Sequence, residues 1–219
     1  MKLLPPLSAG LLLTASFAWA DWVVVQKTTA EGKMEEVHTC IKGDQIRLDV
    51  GDQMSVIAGA DDGRMTMLMH PQKMMMRMNA DTLKGVMALA GAALGADEAS
   101  AKPVATGMKE KVGEYDCEVF SWSGKMGSGK FWVAKDFPNY QALNAAQDKM
   151  MKAMGNPASS FAPRASDFPG IVVKSEMQVM GKTSVSELVS VKEEEVDSTA
   201  FVVPKDYQEM KIPTLPGGK

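Results

Sequence analysis

The chain is poor in the side chains from which most active sites are built. Its 219 residues include two cysteines and two histidines. His38 and His70 are each isolated in sequence, so no imidazole cluster is available for acid–base work. Aromatics make up 6% of the chain, and no serine sits in the Gly-x-Ser-x-Gly setting that exposes a nucleophile between strand and helix; neither Ser128 nor Ser186 does. The formal net charge is −3 with both signs interspersed, which argues against a nucleic-acid partner. Beyond residue 20 there is no apolar run near the roughly 20 residues needed to cross a bilayer.

What is present begins with a leader. Lys2 supplies the positive start, Leu7 to Phe17 the apolar stretch, and Ala18-Trp19-Ala20 a small-x-small cleavage site. Residues 1–20 are therefore expected to be removed as a signal peptide, leaving Asp21 first. The product is expected in the periplasm or outside the cell, with no transmembrane segment. Losing Lys2 takes the net charge from −3 to −4. The exported compartment permits oxidation, so two readings of the cysteines stand side by side. A Cys40–Cys117 disulfide would close a loop worth roughly 4–5 kcal/mol in the chain-entropy model; alternatively, both are buried reduced thiols.

From Trp22 onward, short β-rich runs alternate with turn residues. Strands are expected over 22–28, 34–41, 45–50 and 54–58, followed by a hairpin of 64–69 and 74–78 around His70-Pro71-Gln72-Lys73. Residues 81–99 carry apolar side chains near helical spacing behind Asn79 or Asp81 as cap. A polar linker over 96–106 leads to strands over 108–112, 115–123 and 130–134. The stripe Tyr140, Leu143, Ala146, Met150, Met154 marks a second helix that Gly155 ends. Strands over 171–180 and 183–191 follow, then a last apolar segment, 201–203.

These elements predict a mainly β protein with helices: one strongly curved antiparallel sheet, or half-barrel. Two helical segments are too few to cover both faces, so they are expected on the concave one. Residues 21–212 are read as a single domain and 213–219 as a disordered tail.

Several segments, taken in order, resemble the family of exported bacterial proteins called domain of unknown function 4412. They are Gly43-Asp44-Gln45-Ile46-Arg47, the Met65 to Met78 hairpin, Val112-Gly113-Glu114-Tyr115-Asp116-Cys117 and Phe131-Trp132-Val133-Ala134-Lys135. Glu187-Leu188-Val189-Ser190-Val191 and Phe201-Val202-Val203-Pro204-Lys205-Asp206-Tyr207 complete the set. The family brings no activity with it. Its element order is similar to that of the periplasmic lipoprotein carriers, which implies a half-barrel able to hold acyl chains; that implication concerns fold alone.

Two motifs invite a chemical reading. Gly124 to Lys130 imitates a phosphate-binding loop, yet Phe131 stands where Ser or Thr should ligate magnesium, and a strand follows where a helix should. Methionine is the compositional oddity: nineteen in all, seven of them between Arg64 and Met78. Strand alternation sets Met65, Met67 and Met69 on one face of their strand and Met74, Met76 and Met78 on one face of the next. Flexible thioethers suit an adaptable apolar pocket. The expected function is a non-enzymatic binding protein without cofactor, whose cavity for a lipid or similar hydrophobic ligand is lined by Met67, Met69, Met74, Met76, Leu143 and Met150. If the register is inverted, the lining passes to their opposite-face neighbours. Thioethers also select Cu(I), so Met65, Met67, Met69, His70, Met74, Met76 and Met78 form an alternative metal set. A structural or protein-interaction domain without small ligand is the third reading. Trp122, Trp132, Phe120 and Phe131 are assigned to core.

Overall fold

The computed structural model describes residues 21–59, 63–79, 82, 85, 101–124, 127–153 and 162–210. The leader, the tail and most of 81–99 lie outside the described residues. Of that last segment, Thr82 and Gly85 have helical backbone, and the Asn79 side chain accepts the Thr82 backbone N–H at 2.7 Å, the N-cap bond expected there.

Among the described residues twelve strands form one sheet. They are β1 (Trp22–Ala30), β2 (Lys33–Lys42), β3 (Gln45–Val50), β4 (Met54–Gly59), β5 (Met65–Met69), β6 (Met74–Met78), β7 (Val104–Val112), β8 (Tyr115–Gly124), β9 (Gly127–Ala134), β10 (Ile171–Val179), β11 (Lys182–Glu193) and β12 (Gln208–Glu209). Their order across the sheet is β12-β6-β5-β4-β3-β2-β1-β11-β10-β9-β8-β7. Two antiparallel meanders, β1 to β6 and β7 to β11, are thus fused where β1 pairs with β11. β12 adds to β6 in parallel.

The mainly antiparallel β character is as expected, but the placing of helices on a concave face is not. Among the described residues one complete α-helix is found, α1 (Tyr140–Ala153). Its Leu143 is buried in a cluster with Trp22, Ile41, Ile46, Cys117 and Ile171. Those five stand at or near strand ends on one side of the sheet: the starts of β1, β3, β8 and β10 and the end of β2. α1 therefore caps one end of the sheet instead of filling its middle. Periodicity marked Leu143, which is buried, and Tyr140 and Ala146, which are half-buried beside it, but carries no information on where they dock; the Met150 side chain and Met154 lie outside the described residues. Polar contacts decide it: Asn144 donates to the carbonyls of Ala165 and Gly170, both at 3.0 Å, and Lys149 pairs with Asp44 in the β2–β3 turn.

A second apolar cluster joins Phe120, Trp122, Phe131 and Val133 to Phe168. Phe168 meets Phe120 edge-on at 5.8 Å between ring centres and lies 5.0 Å from Phe131, so these aromatics are core as expected. Trp132 is also buried; its indole N–H donates to Glu110 at 2.7 Å, and the Lys174 ammonium sits 4.7 Å from its ring centre.

Candidate ligand-binding face

From β1 to β6 the pairing runs without a bulge, so directly opposed residues share a face along the whole meander. One face reads as three ranks. Trp22, Ile41, Ile46, Ala58, Met65 and Met78 form the first. Val24, Thr39, Leu48, Val56, Met67 and Met76 form the second. The third is Gln26, Val37, Val50, Met54, Met69 and Met74. Sixteen of these eighteen side chains are apolar, and the β5–β6 end is methionine throughout.

Burial falls across the ranks. Five of the six residues in the first rank are buried beside the end that α1 caps, Met78 being half-buried. On β3 to β6 every residue of the second and third ranks is half-buried. The result is an apolar face whose outer ranks, half-buried and not exposed, are open only relative to the closed core they grade into. Met67, Met69, Met74 and Met76 lie together in the second and third ranks, and Met65 and Met78 lie on the same face in the first rank. Leu143 belongs to the closed core and does not line the open face. Met150 falls within α1, but its side chain is outside the described residues.

His70 leaves the methionine set. Its ring points to the opposite face, where Nε2 meets Ser55 Oγ at 2.7 Å and Nδ1 meets the Tyr207 hydroxyl at 2.5 Å. Alternation contains this signal: His70 follows Thr66 and Leu68, not Met67 and Met69. Ser55 is fully buried and also hydrogen bonds to Asp49. Arg47 holds the Asp49 carboxylate through Nε at 2.7 and 3.0 Å, donates to the Ala200 carbonyl at 2.8 Å and to Ser55 Oγ at 3.2 Å. Sequence reasoning missed this network because Ala200 and Tyr207 are more than 130 residues from their partners. A carboxylate only accepts, so the Ser55 proton goes to Asp49, and Ser55 Oγ accepts from Arg47 and from a protonated His70 Nε2. In a neutral ring Nδ1 then accepts from Tyr207. With its proton committed and its oxygen sealed from solvent, Ser55 has no place for a substrate. The network instead holds the C-terminal segment across the sheet.

The disulfide is not formed: Cys40 and Cys117 are both free thiols. β1, β11, β10 and β9 separate β2 from β8 in the sheet, and Cys40 stands opposite Arg47 on the face turned away from the Ile41 cluster that holds Cys117. Burial, first among the causes, pushes both thiols above their ordinary pKa. Concerning cavities, a cleft of about 380 Å³ touches the methionine face at its first rank through Ala58, Met65 and Met78. Another, of about 460 Å³, is lined largely by charges, among them Lys109, Glu110, Lys111 and Asp116. Among the described residues no group of three or more His, Cys, Asp or Glu is placed to hold a metal.

A family model described as a domain of unknown function, DUF4412, matches residues 22–207. The chain belongs to the DUF4412 family. That span runs from the first residue of β1 to Tyr207 in the C-terminal segment, so the methionine ranks and the Ser55–His70–Tyr207 network both fall within the DUF4412 region. No curated protein matches the sequence. Among solved structures, this DUF4412 chain is similar to PNGF-II at 14% identity and a TM-score of 0.41, covering 87% of this chain and 31% of that one. It is also similar to a DUF1329 family protein from Desulfovibrio piger ATCC 29098, at 12% identity and a TM-score of 0.36, covering 85% and 91%. The DUF4412 chain thus spans about a third of the length of PNGF-II. Among its described residues no helix is long and apolar enough to cross a membrane.

Proposed function

We propose that this protein is an exported, non-enzymatic binding protein that offers the open ranks of its β3–β6 face to an acyl chain or a similar hydrophobic ligand. One observation carries the reading: eight apolar side chains on four adjacent strands, from Leu48 to Met76, stay half-buried where a protein without a ligand would bury them or replace them with polar groups. Methionine suits this task, because an unbranched, polarizable side chain adapts to a chain-like ligand of variable shape. The leader and the periplasmic location belong to the same proposal. The burial of Ser55, whose proton is engaged by Asp49, supports binding over catalysis.

The test uses protein recovered from the periplasm of its own cell, examined by native mass spectrometry and by titration with the fluorescent probe N-phenyl-1-naphthylamine. A co-purifying lipid mass and saturable probe binding are expected, and Met67→Glu, which places a charge in the middle rank, is expected to abolish both with little loss of stability. Protein that carries no lipid and gives no saturable signal would sink the reading.

A further inference from the structure

Within the third rank, three methionines stand abreast. Met54 opposes Met69, and Met69 opposes Met74, so β4, β5 and β6 each present one thioether on the same face. Directly opposed Cα atoms lie about 4.5–5.5 Å apart, and each methionine has three rotatable side-chain bonds, so the outer two can lean their sulfurs toward the central one. Met67 and Met76 stand one rank away, about 7 Å along the strands, and offer a fourth thioether.

The surroundings narrow the choice of ligand. On β3 to β6 this face carries only aliphatic side chains and methionines. Among the described residues of these strands the face has no carboxylate for a hard cation and no imidazole or thiol for zinc. His70 is turned to the other face, Cys40 stands opposite Arg47 there, and Cys117 is buried in the core. Nor does packing call for sulfur: Met65 and Met75 are buried and fill space, whereas Met54, Met69 and Met74 are half-buried, where leucine would serve an apolar face equally well.

We infer that Met54, Met69 and Met74 bind one monovalent soft cation, Cu(I), through three thioether sulfurs. Thioethers carry no proton to lose, so uptake does not compete with protons as thiolate or imidazole sites do. The inference does not rest on the hydrophobic-ligand reading, and leucine substitution separates the two because it removes sulfur while keeping the face apolar.

The experiment is an anaerobic titration of the full mature chain with Cu(I) held by bicinchoninate, repeated with Ag(I), at pH 7 and pH 5. One equivalent taken up at both pH values, with only sulfur neighbours in X-ray absorption, is expected. The triple variant M54L/M69L/M74L should lose at least tenfold in affinity and still bind N-phenyl-1-naphthylamine; M75L, on the opposite face, should change nothing. Should the triple variant not fold, methyl NMR of the wild-type methionines decides: Ag(I) should shift the Met54, Met69 and Met74 resonances and leave Met75 in place. Equal affinity in the triple variant, nitrogen or oxygen neighbours, no uptake against bicinchoninate, or unmoved resonances for those three would each overturn the inference.

Discussion

Ser55 concentrates more polar partners than any other fully buried side chain among the described residues, taking bonds from Arg47 and His70 and giving one to Asp49. Removing its hydroxyl leaves the half-buried Arg47, His70 and Asp49 each short of one bond, and an unpaired polar group with little access to water costs about 1–3 kcal/mol. Ser55→Ala is therefore expected to lower the unfolding free energy by that amount, read as a lower urea midpoint with an unchanged slope. Tyr207→Phe removes one bond at a less buried site and should cost about 1 kcal/mol. Because the bonds share partners, the double variant should cost less than the sum; strict additivity would show that His70 does not link the two. The cysteines make the opposite case. With no bridge and with burial holding both thiols protonated, reductant should leave the melting temperature unchanged, and both thiols should label fast only after unfolding. A drop of several degrees on reduction would contradict the free thiols seen here.

At the scale of elements, the C-terminal segment is a strap laid over the face opposite the methionines. Lys42 donates to the Val196 carbonyl at 2.5 Å, Arg47 to Ala200, Phe201 is buried, and β12 pairs with β6. The strap ends in two exposed ion pairs, Lys73–Asp206 at 2.8 Å and Arg77–Glu209 at 2.7 Å. The hydrogen bond from Lys73 holds the Asp206 carboxyl below its ordinary value and raises the Lys73 ammonium above its own. A depressed acid stabilises above its unfolded pKa and loses that contribution as pH falls through the folded one. The strap end should therefore loosen in acid, below about pH 4, before the sheet does. Hydrogen-exchange protection of the Gln208 and Met210 amides, which bond to the Lys73 and Met75 carbonyls, should fall between pH 6 and 3 while that of Val24 persists; parallel loss would show that the strap is not a separate unit. Strands were legible wherever alternation was clean, as in β3, and β1 to β6, joined by short turns, pair in registers that put seven thioethers on one face. β7 was less legible. It begins at Val104 within the stretch read as linker, because Gly107 adopts φ +78° and the register shifts between Ala105 and Lys109, which breaks the alternation that marks a strand. β12 is two residues long and leaves no pattern at all.

For the whole molecule the decisive pairing is β1 with β11, which joins residues more than 150 apart. Alternation states that a strand has two faces but says nothing of which neighbour it takes, so each meander was readable and their fusion was not. That fusion has a mechanical consequence. The part of the chain after residue 101 grips the part before residue 79 at both of its outer strands, through β11 on β1 and β12 on β6. Asp21 ties the same seam: its side chain takes the Lys42 ammonium at 3.2 Å and the Val196 N–H at 3.1 Å, and its carbonyl accepts from Glu194. Two separately expressed pieces, residues 21–79 and 101–219, should therefore associate without a covalent link and migrate as one particle in size-exclusion chromatography. Association should depend on the seam. Val24 is buried there opposite Val191, and an aspartate in its place would put an unpaired carboxylate in the core, a change of the 3–5 kcal/mol class seen when a buried charge lacks its partner. Val24→Asp should thus separate the pieces. The same pieces carrying Asp206→Asn, which weakens only the strap end, should stay together. If Asp206→Asn separates them and Val24→Asp does not, the strap rather than the β1–β11 seam holds the two meanders in one sheet.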